Sequence, residues 1–81
     1  MKNNPFKKLQ ESLNTSAIEL YSNKRVIVFD CRCVIDYSSD YILLGLDDMK
    51  LKICGNNLVA NSFSFGQTDI DGEILSLEFV R

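Results

Sequence analysis

The stretch Val26–Tyr37, VIVFDCRCVIDY, decides how this chain is read. It is rich in β-branched and aromatic residues, which favour strands. Side chains two apart on a strand share a face. The odd positions, Ile27, Phe29, Cys31, Cys33, Ile35 and Tyr37, are apolar or nearly so, while the even ones include Asp30, Arg32 and Asp36. The alternation predicts one long strand with its odd side chains in the core. Cys31 and Cys33 then lie inside the apolar stripe, where a free cysteine packs as a small hydrophobe. A structural zinc site takes four ligands, and the chain supplies three cysteines and no histidine. A disulfide between Cys31 and Cys33 is disfavoured, because their side chains run parallel from Cα atoms roughly 7 Å apart. Cys54 shares its face with Lys50 and Lys52, which places it on a more polar surface.

Working outward, Ala17–Leu20 alternates apolar and polar positions, and Ser22-Asn23-Lys24-Arg25 reads as a turn. On the far side, Ser38-Ser39-Asp40 turns the chain into Tyr41–Leu46, and Asp47-Asp48 turns it into Met49–Cys54. Gly55-Asn56-Asn57 is a strong turn signal. Leu58–Phe65 follows, then Gly66-Gln67-Thr68, then a last run Asp69–Val80 broken in phase at Asp71-Gly72. Short strands with brief connections predict an all-β domain, a small antiparallel meander rolled into a sandwich- or barrel-like sheet. Two further stripes read as core: Val59, Asn61, Phe63 and Phe65, and Leu75, Leu77 and Phe79. Ile53-Cys54-Gly55 is echoed by Ile70-Asp71-Gly72, 17 residues on. Gly55 and Gly72 are therefore expected to be structural, at least one with positive φ in a turn or bulge.

Residues 1–16 read differently from residues 17–81, the single β domain. Asn4-Pro5 is a helix start, and Phe6, Leu9 and Leu13 recur at helical spacing among Lys7, Lys8 and Glu11. This short basic amphipathic leader carries a net charge of +2, whereas residues 26–81 carry −5. Phe6, Lys7, Lys8, Leu9 and Leu13 are its candidate partner contacts. Docking on the sheet or on a partner is the expected use, because stable membrane anchoring takes two signals.

Several chemistries lose their basis. A net charge of −2 gives no electrostatic case for nucleic acid. Without histidine the commonest general base and the usual nucleophilic triads are missing. The four glycines are scattered and build no phosphate loop. Asp69-Ile70-Asp71-Gly72-Glu73 fails as a calcium loop, since the twelfth position counted from Asp69 is Val80. No catalytic residue, metal, cofactor or small-molecule substrate is expected. No apolar run follows the basic start, and none reaches the roughly 18 residues of a membrane span. Together with an odd number of cysteines, this predicts reduced thiols and a cytoplasmic location.

Two motifs carry a resemblance. Leu51-Lys52-Ile53-Cys54-Gly55-Asn56-Asn57-Leu58 is an apolar-x-apolar-x-Gly-x-x-apolar stretch in mid-chain. Ile70-Asp71-Gly72-Glu73-Ile74-Leu75-Ser76-Leu77-Glu78-Phe79 closes the domain with apolar-x-Gly-x-apolar-x-x-apolar-x-aromatic. In this order the chain resembles the YabP/YqfC family of bacterial sporulation proteins, the YqfC side most, over about residues 17–80. The resemblance implies a role in endospore formation on the mother-cell side. It implies a small non-catalytic companion of a membrane protein, and it carries over no catalytic or ligand residue. The alternative reading is a small ligand- or nucleic-acid-binding β module. A domain this small has a marginal core, and a meander leaves two edges. A homodimer, formed through the leader or an edge strand, is therefore expected.

Overall fold

The computed structural model describes residues 17–64 and 66–81. The expected leader helix, with Phe6, Lys7, Lys8, Leu9 and Leu13, lies outside the described residues, as does Phe65. The described chain is all-β. It forms β1 (Ala17–Tyr21), β2 (Arg25–Phe29), β3 (Cys33–Tyr37), β4 (Tyr41–Gly45), β5 (Lys50–Ser64) and β6 (Gln67–Val80). All pairs are antiparallel, in one open sheet of order β1-β2-β6-β5-β4-β3. From β3 to β6 the strands follow one another as a meander, and the β1–β2 hairpin joins it at β6.

The long β5–β6 hairpin organises everything else. β2 pairs with β6 only over Thr68–Asp71, and β4 pairs with β5 only over Lys50–Cys54. Between these zones the hairpin is bulged, with register shifts between Cys54 and Gly55 and between Asn56 and Val59. Bulges bend strands and increase their twist. One half of the sheet holds β1, β2 and the turn end of the hairpin; the other holds β3, β4 and its open end. Val26 and Val28 of β2 and Ile70 of β6 join Ile42, Leu44, Leu51 and Ile53 of the other half in a single buried cluster. One face of a continuous sheet encloses one core only if the sheet folds back on itself, which the bulges allow.

Two glycines make the bend possible. Gly72 has φ of 140°, a conformation side chains rarely adopt. A Cβ there would lie 2.7 Å from the Asn57 carbonyl oxygen. Gly55 is buried, and a Cβ on it would overlap the Glu73 carbonyl. Each would also come within 3.0 Å of the same Leu58 Cδ2. The sequence echo thus marks the two strands of one bend. The flanking hairpins lock it from outside. Gly55 and Leu58 N–H donate to the carbonyls of Asp40 and Ser39, both at 2.9 Å. Gly72 and Ile74 N–H donate to the carbonyls of Lys24 (3.2 Å) and Asn23 (2.7 Å).

Three expectations are corrected. Val26–Tyr37 is two strands, because Asp30 turns the chain at φ of 59° and Asp30–Arg32 crosses between the halves. The crossing is backbone-bonded: Cys31 N–H donates to the Gly66 carbonyl and Arg32 N–H to the Gly45 carbonyl, both at 2.7 Å. In β2 it is the even positions, Val26 and Val28, that are buried, while Ile27 and Phe29 are half-buried. Cys31 keeps its core place, but Cys33, Ile35 and Tyr37 are exposed, since β3 is an edge strand exposed throughout. Gly55-Asn56-Asn57 is not a turn between strands. β5 runs through it as a bulge, with Asn57 at φ of 53°. Finally, Leu75, Phe79, Val59 and Phe63 are exposed. The first two lie on the part of β6 that has no strand on its outer side among the described residues, and a register shift between Ala60 and Ser62 breaks the stripe leading to Phe63.

Candidate functional site

The bend gives each hairpin strand two roles. The first part of β6 is an interior strand between β2 and β5. From Ile74 onward β6 has β5 on one side and, among the described residues, no strand on the other. Backbone alternation fixes which groups face that open edge. Ser38 N–H donates to the Tyr41 carbonyl at 2.8 Å, so the polar backbone of Tyr41 points to β3. In antiparallel pairing neighbouring residues point to opposite sides. Ile42 and Leu44 therefore point to β5, and Ile53 and Leu51 answer them. Cys54, Lys52 and Lys50 point to β6, where Ser76, Glu78 and Val80 answer them. The N–H and C=O groups of Leu77 and Phe79 are left facing outward. Leu75 is the extra residue of the bulge, between Ile74 opposite Gly55 and Ser76 opposite Cys54.

The same strand presents apolar side chains. Leu77 stands opposite Ile53 and Phe79 opposite Leu51, so both point to the core face of the sheet. That face is not covered here: Leu75 is 63% and Phe79 58% exposed, and Leu77 is half-buried. Across the opening, Leu20 of β1 stands opposite Val26 and shares the core face, yet it is 51% exposed. Leu20, Ile74, Leu75 and Leu77 line a mostly apolar groove of about 300 Å³ between β1 and β6. The other open side has a partial closure, since Ala60 N–H of β5 donates to the Tyr37 hydroxyl of β3 at 3.2 Å.

Several of the remaining polar residues are engaged in local pairs. On the outer face Arg25 binds Asp71 through Nε at 2.6 Å and Nη2 at 3.2 Å, and Asn61 also donates to Asp71. The guanidinium first, then the Asn61 amide, holds the Asp71 carboxyl below its ordinary range. Asp36 is likewise lowered, by the Tyr41 hydroxyl and then the Tyr37 N–H. Lys52 Nζ lies 5.6 Å from the centre of the Tyr41 ring. Gln67 donates to Asp69 and Asn56 to Glu73, so the acids of the rejected calcium motif are each met by side-chain donors. No group of three or more metal-capable side chains gathers among the described residues. Gly55 and Gly72 hold the bend, and Gly72 also lines a cleft of about 410 Å³ with Asn23, Lys24, Asn56, Asn57 and Glu73.

The cysteines separate clearly. Cys31 is buried, its thiol donating weakly to the Cys33 carbonyl at 3.5 Å. Burial pushes its pKa up, with a partial offset from the neighbouring Thr68 hydroxyl. Cys33 is exposed and Cys54 half-buried. In the sequence Leu75, Leu77 and Phe79 alternate like a core stripe, and what sets them on an open edge is that β2 pairs with β6 only as far as Asp71.

No family model, characterised protein or solved structure matches this chain. No helix among the described residues is long and apolar enough to cross a membrane.

Proposed function

We propose that this chain is a non-catalytic assembly protein that joins other chains through the open margin of its sheet. The observation that carries the reading is the coincidence, on one strand, of outward backbone groups at Leu77 and Phe79 with exposed Leu75 and Phe79. Exposed edges are templates for strand addition, and natural proteins usually blunt them with charge, proline or a cover. Here the one charge between Leu75 and Phe79 is Glu78, which lies beside Lys52 on the outer face. In strand addition, backbone bonds give affinity and alternate side chains give selectivity. The resemblance to the YabP/YqfC family suggests where such a protein acts: in endospore formation, in the mother-cell cytoplasm, beside a membrane protein. The test is genetic. Loss of the gene should lower the yield of heat-resistant spores, restored by the wild-type chain and not by Phe79→Lys. An unchanged spore yield overturns the sporulation role.

A second reading, a small ligand-binding module, is favoured by the polar cleft of Asn23, Lys24, Asn56, Asn57 and Glu73. If it holds, Lys24→Ala should impair function while Phe79→Lys does not.

A further inference from the structure

We infer that the open edge of β6 is built to pair with the same edge of a second copy, in one register centred on Leu77. The inference deepens the assembly reading, and rests on it only in taking this edge for a contact. Antiparallel pairing of two identical strands is two-fold symmetric, so one residue must face itself. With Leu77 on the axis, Leu75 meets Phe79 of the second copy and Ser76 meets Glu78. All three apolar side chains then pair with apolar side chains, where Leu75 and Phe79 are exposed and Leu77 is half-buried. The register also agrees with the backbone. Leu77 and Phe79 point their polar groups outward, so a Leu77–Leu77 pair is of the hydrogen-bonded kind.

Neighbouring registers do worse. Centring on Ser76 or Glu78 puts on the axis a residue whose backbone points to β5, and centring on Glu78 also sets Leu75 against Arg81. The window has a natural limit: Ile74 N–H is already held by the Asn23 carbonyl, so backbone pairing stops at Leu75 and only side chains reach beyond. Phe79 of the second copy would arrive at the groove lined by Leu20, Leu75 and Leu77, where the core face is open. The product joins two four-stranded half-sheets, β3-β4-β5-β6 from each copy, edge to edge.

The experiment uses the full chain. Light scattering after size exclusion should show a concentration-dependent dimer. Phe79→Lys, at an exposed site that leaves the fold intact by circular dichroism, should raise its dissociation constant at least tenfold. With Cys33 and Cys54 replaced by Ser, Leu77→Cys should give a covalent dimer on mild oxidation, because hydrogen-bonded antiparallel pairs have Cα atoms about 5.5 Å apart, within disulfide range. Val59→Cys in the same background should not. A dimer that ignores Phe79→Lys and does not cross-link at position 77 overturns this inference but leaves the assembly reading standing. A full chain that stays monomeric at high micromolar concentration also overturns it, whether or not removal of residues 1–14 uncovers pairing. Unchanged spore yield with an intact Leu77-centred dimer would instead sink the sporulation role alone.

Discussion

Replacing Gly55 by alanine adds one methyl group and should be among the most damaging changes available to this domain. The added Cβ would overlap the Glu73 carbonyl oxygen and lie 3.0 Å from its carbon. Two carbons rest about 3.5–4.0 Å apart, so β5 and β6 must separate at the bend by at least about half an ångström. The neighbour is backbone, paired with Asn56 and flanked by Gly72 and Ile74, whose N–H groups are held by Lys24 and Asn23, and cannot turn away. Separation also pulls on the bonds from Gly55 to Asp40 and from Leu58 to Ser39. Overpacking costs about 1–3 kcal/mol, and each weakened hydrogen bond about 1 kcal/mol. The expected loss is about 3 kcal/mol, a drop in Tm of roughly 15 °C for a domain of this size. Gly45→Ala is the control. There the Cβ meets Cys33 Sγ at 2.8 Å and Ile35 Cδ1 at 3.4 Å, both ends of exposed side chains that can swing aside. It should remain within about 1 kcal/mol of wild type. Urea unfolding with a shared slope measures both. A Gly55→Ala protein within about 0.5 kcal/mol of wild type, or an equally damaged Gly45→Ala, would refute the account of the bend.

Other outcomes follow from the same packing. Native thiol labelling should modify Cys33 first and Cys54 next, with Cys31 reacting only on unfolding, since burial keeps it protonated; early labelling of Cys31 would contradict its core position. Thr68→Val should leave stability unchanged or raise it by about 1 kcal/mol, because the sealed Thr68 hydroxyl has no well-formed hydrogen bond; a loss above that, read by urea unfolding, would show that its contact with the Cys31 thiol matters. Stability should fall in acid: Asp71 and Asp36 have lowered pKa values when folded, so their contribution is present above the unfolded value of about 3.9 and fades as pH drops through the folded values. Asp71→Asn should flatten that acid limb in a urea-midpoint series. Gly72→Val should destabilise more than Glu78→Val, as its φ of 140° and the nearby Asn57 carbonyl require.

What the sequence made legible was the local punctuation. Ser22-Asn23-Lys24 does turn β1 into β2, with Ser22 at φ of 55° and Lys24 N–H bonded to the Tyr21 carbonyl. Ser38–Asp40 and Asp47-Asp48 also lie between strands. Parity was harder. Val26, Ile27, Val28 and Phe29 are all apolar, so alternation does not distinguish the two faces of β2. Nothing local in Asp30-Cys31-Arg32 announces a crossing; it is fixed by distant carbonyls at Gly66 and Gly45. Gly55-Asn56-Asn57 has the composition of a turn, and the same backbone freedom serves a bulge when the partner strand carries Gly72 alongside. The candidate contact surface was hidden for a related reason. Leu75, Leu77 and Phe79 have the pattern of a core stripe and point to the core face, yet the strand that would have covered them, β2, stops pairing at Asp71.

The division of β5 and β6 between two half-sheets also bears on the order of folding. Within the hairpin, pairs grow outward from Ser64–Gln67 to Lys50–Val80, each closing a loop already shortened by the last. The β1–β2 and β3–β4 hairpins are local too, and elements of this kind form in about 1–10 μs. Docking β2 on β6 joins Arg25 to Asp71 across a long intervening chain, and the loop-closure entropy falls on that step. We expect the rate-limiting barrier there, with the bend already set. Substitutions at Val26 or Ile70 should then slow folding, whereas those in β3 should mainly speed unfolding, a division that φ-values from chevron kinetics would reveal or refute.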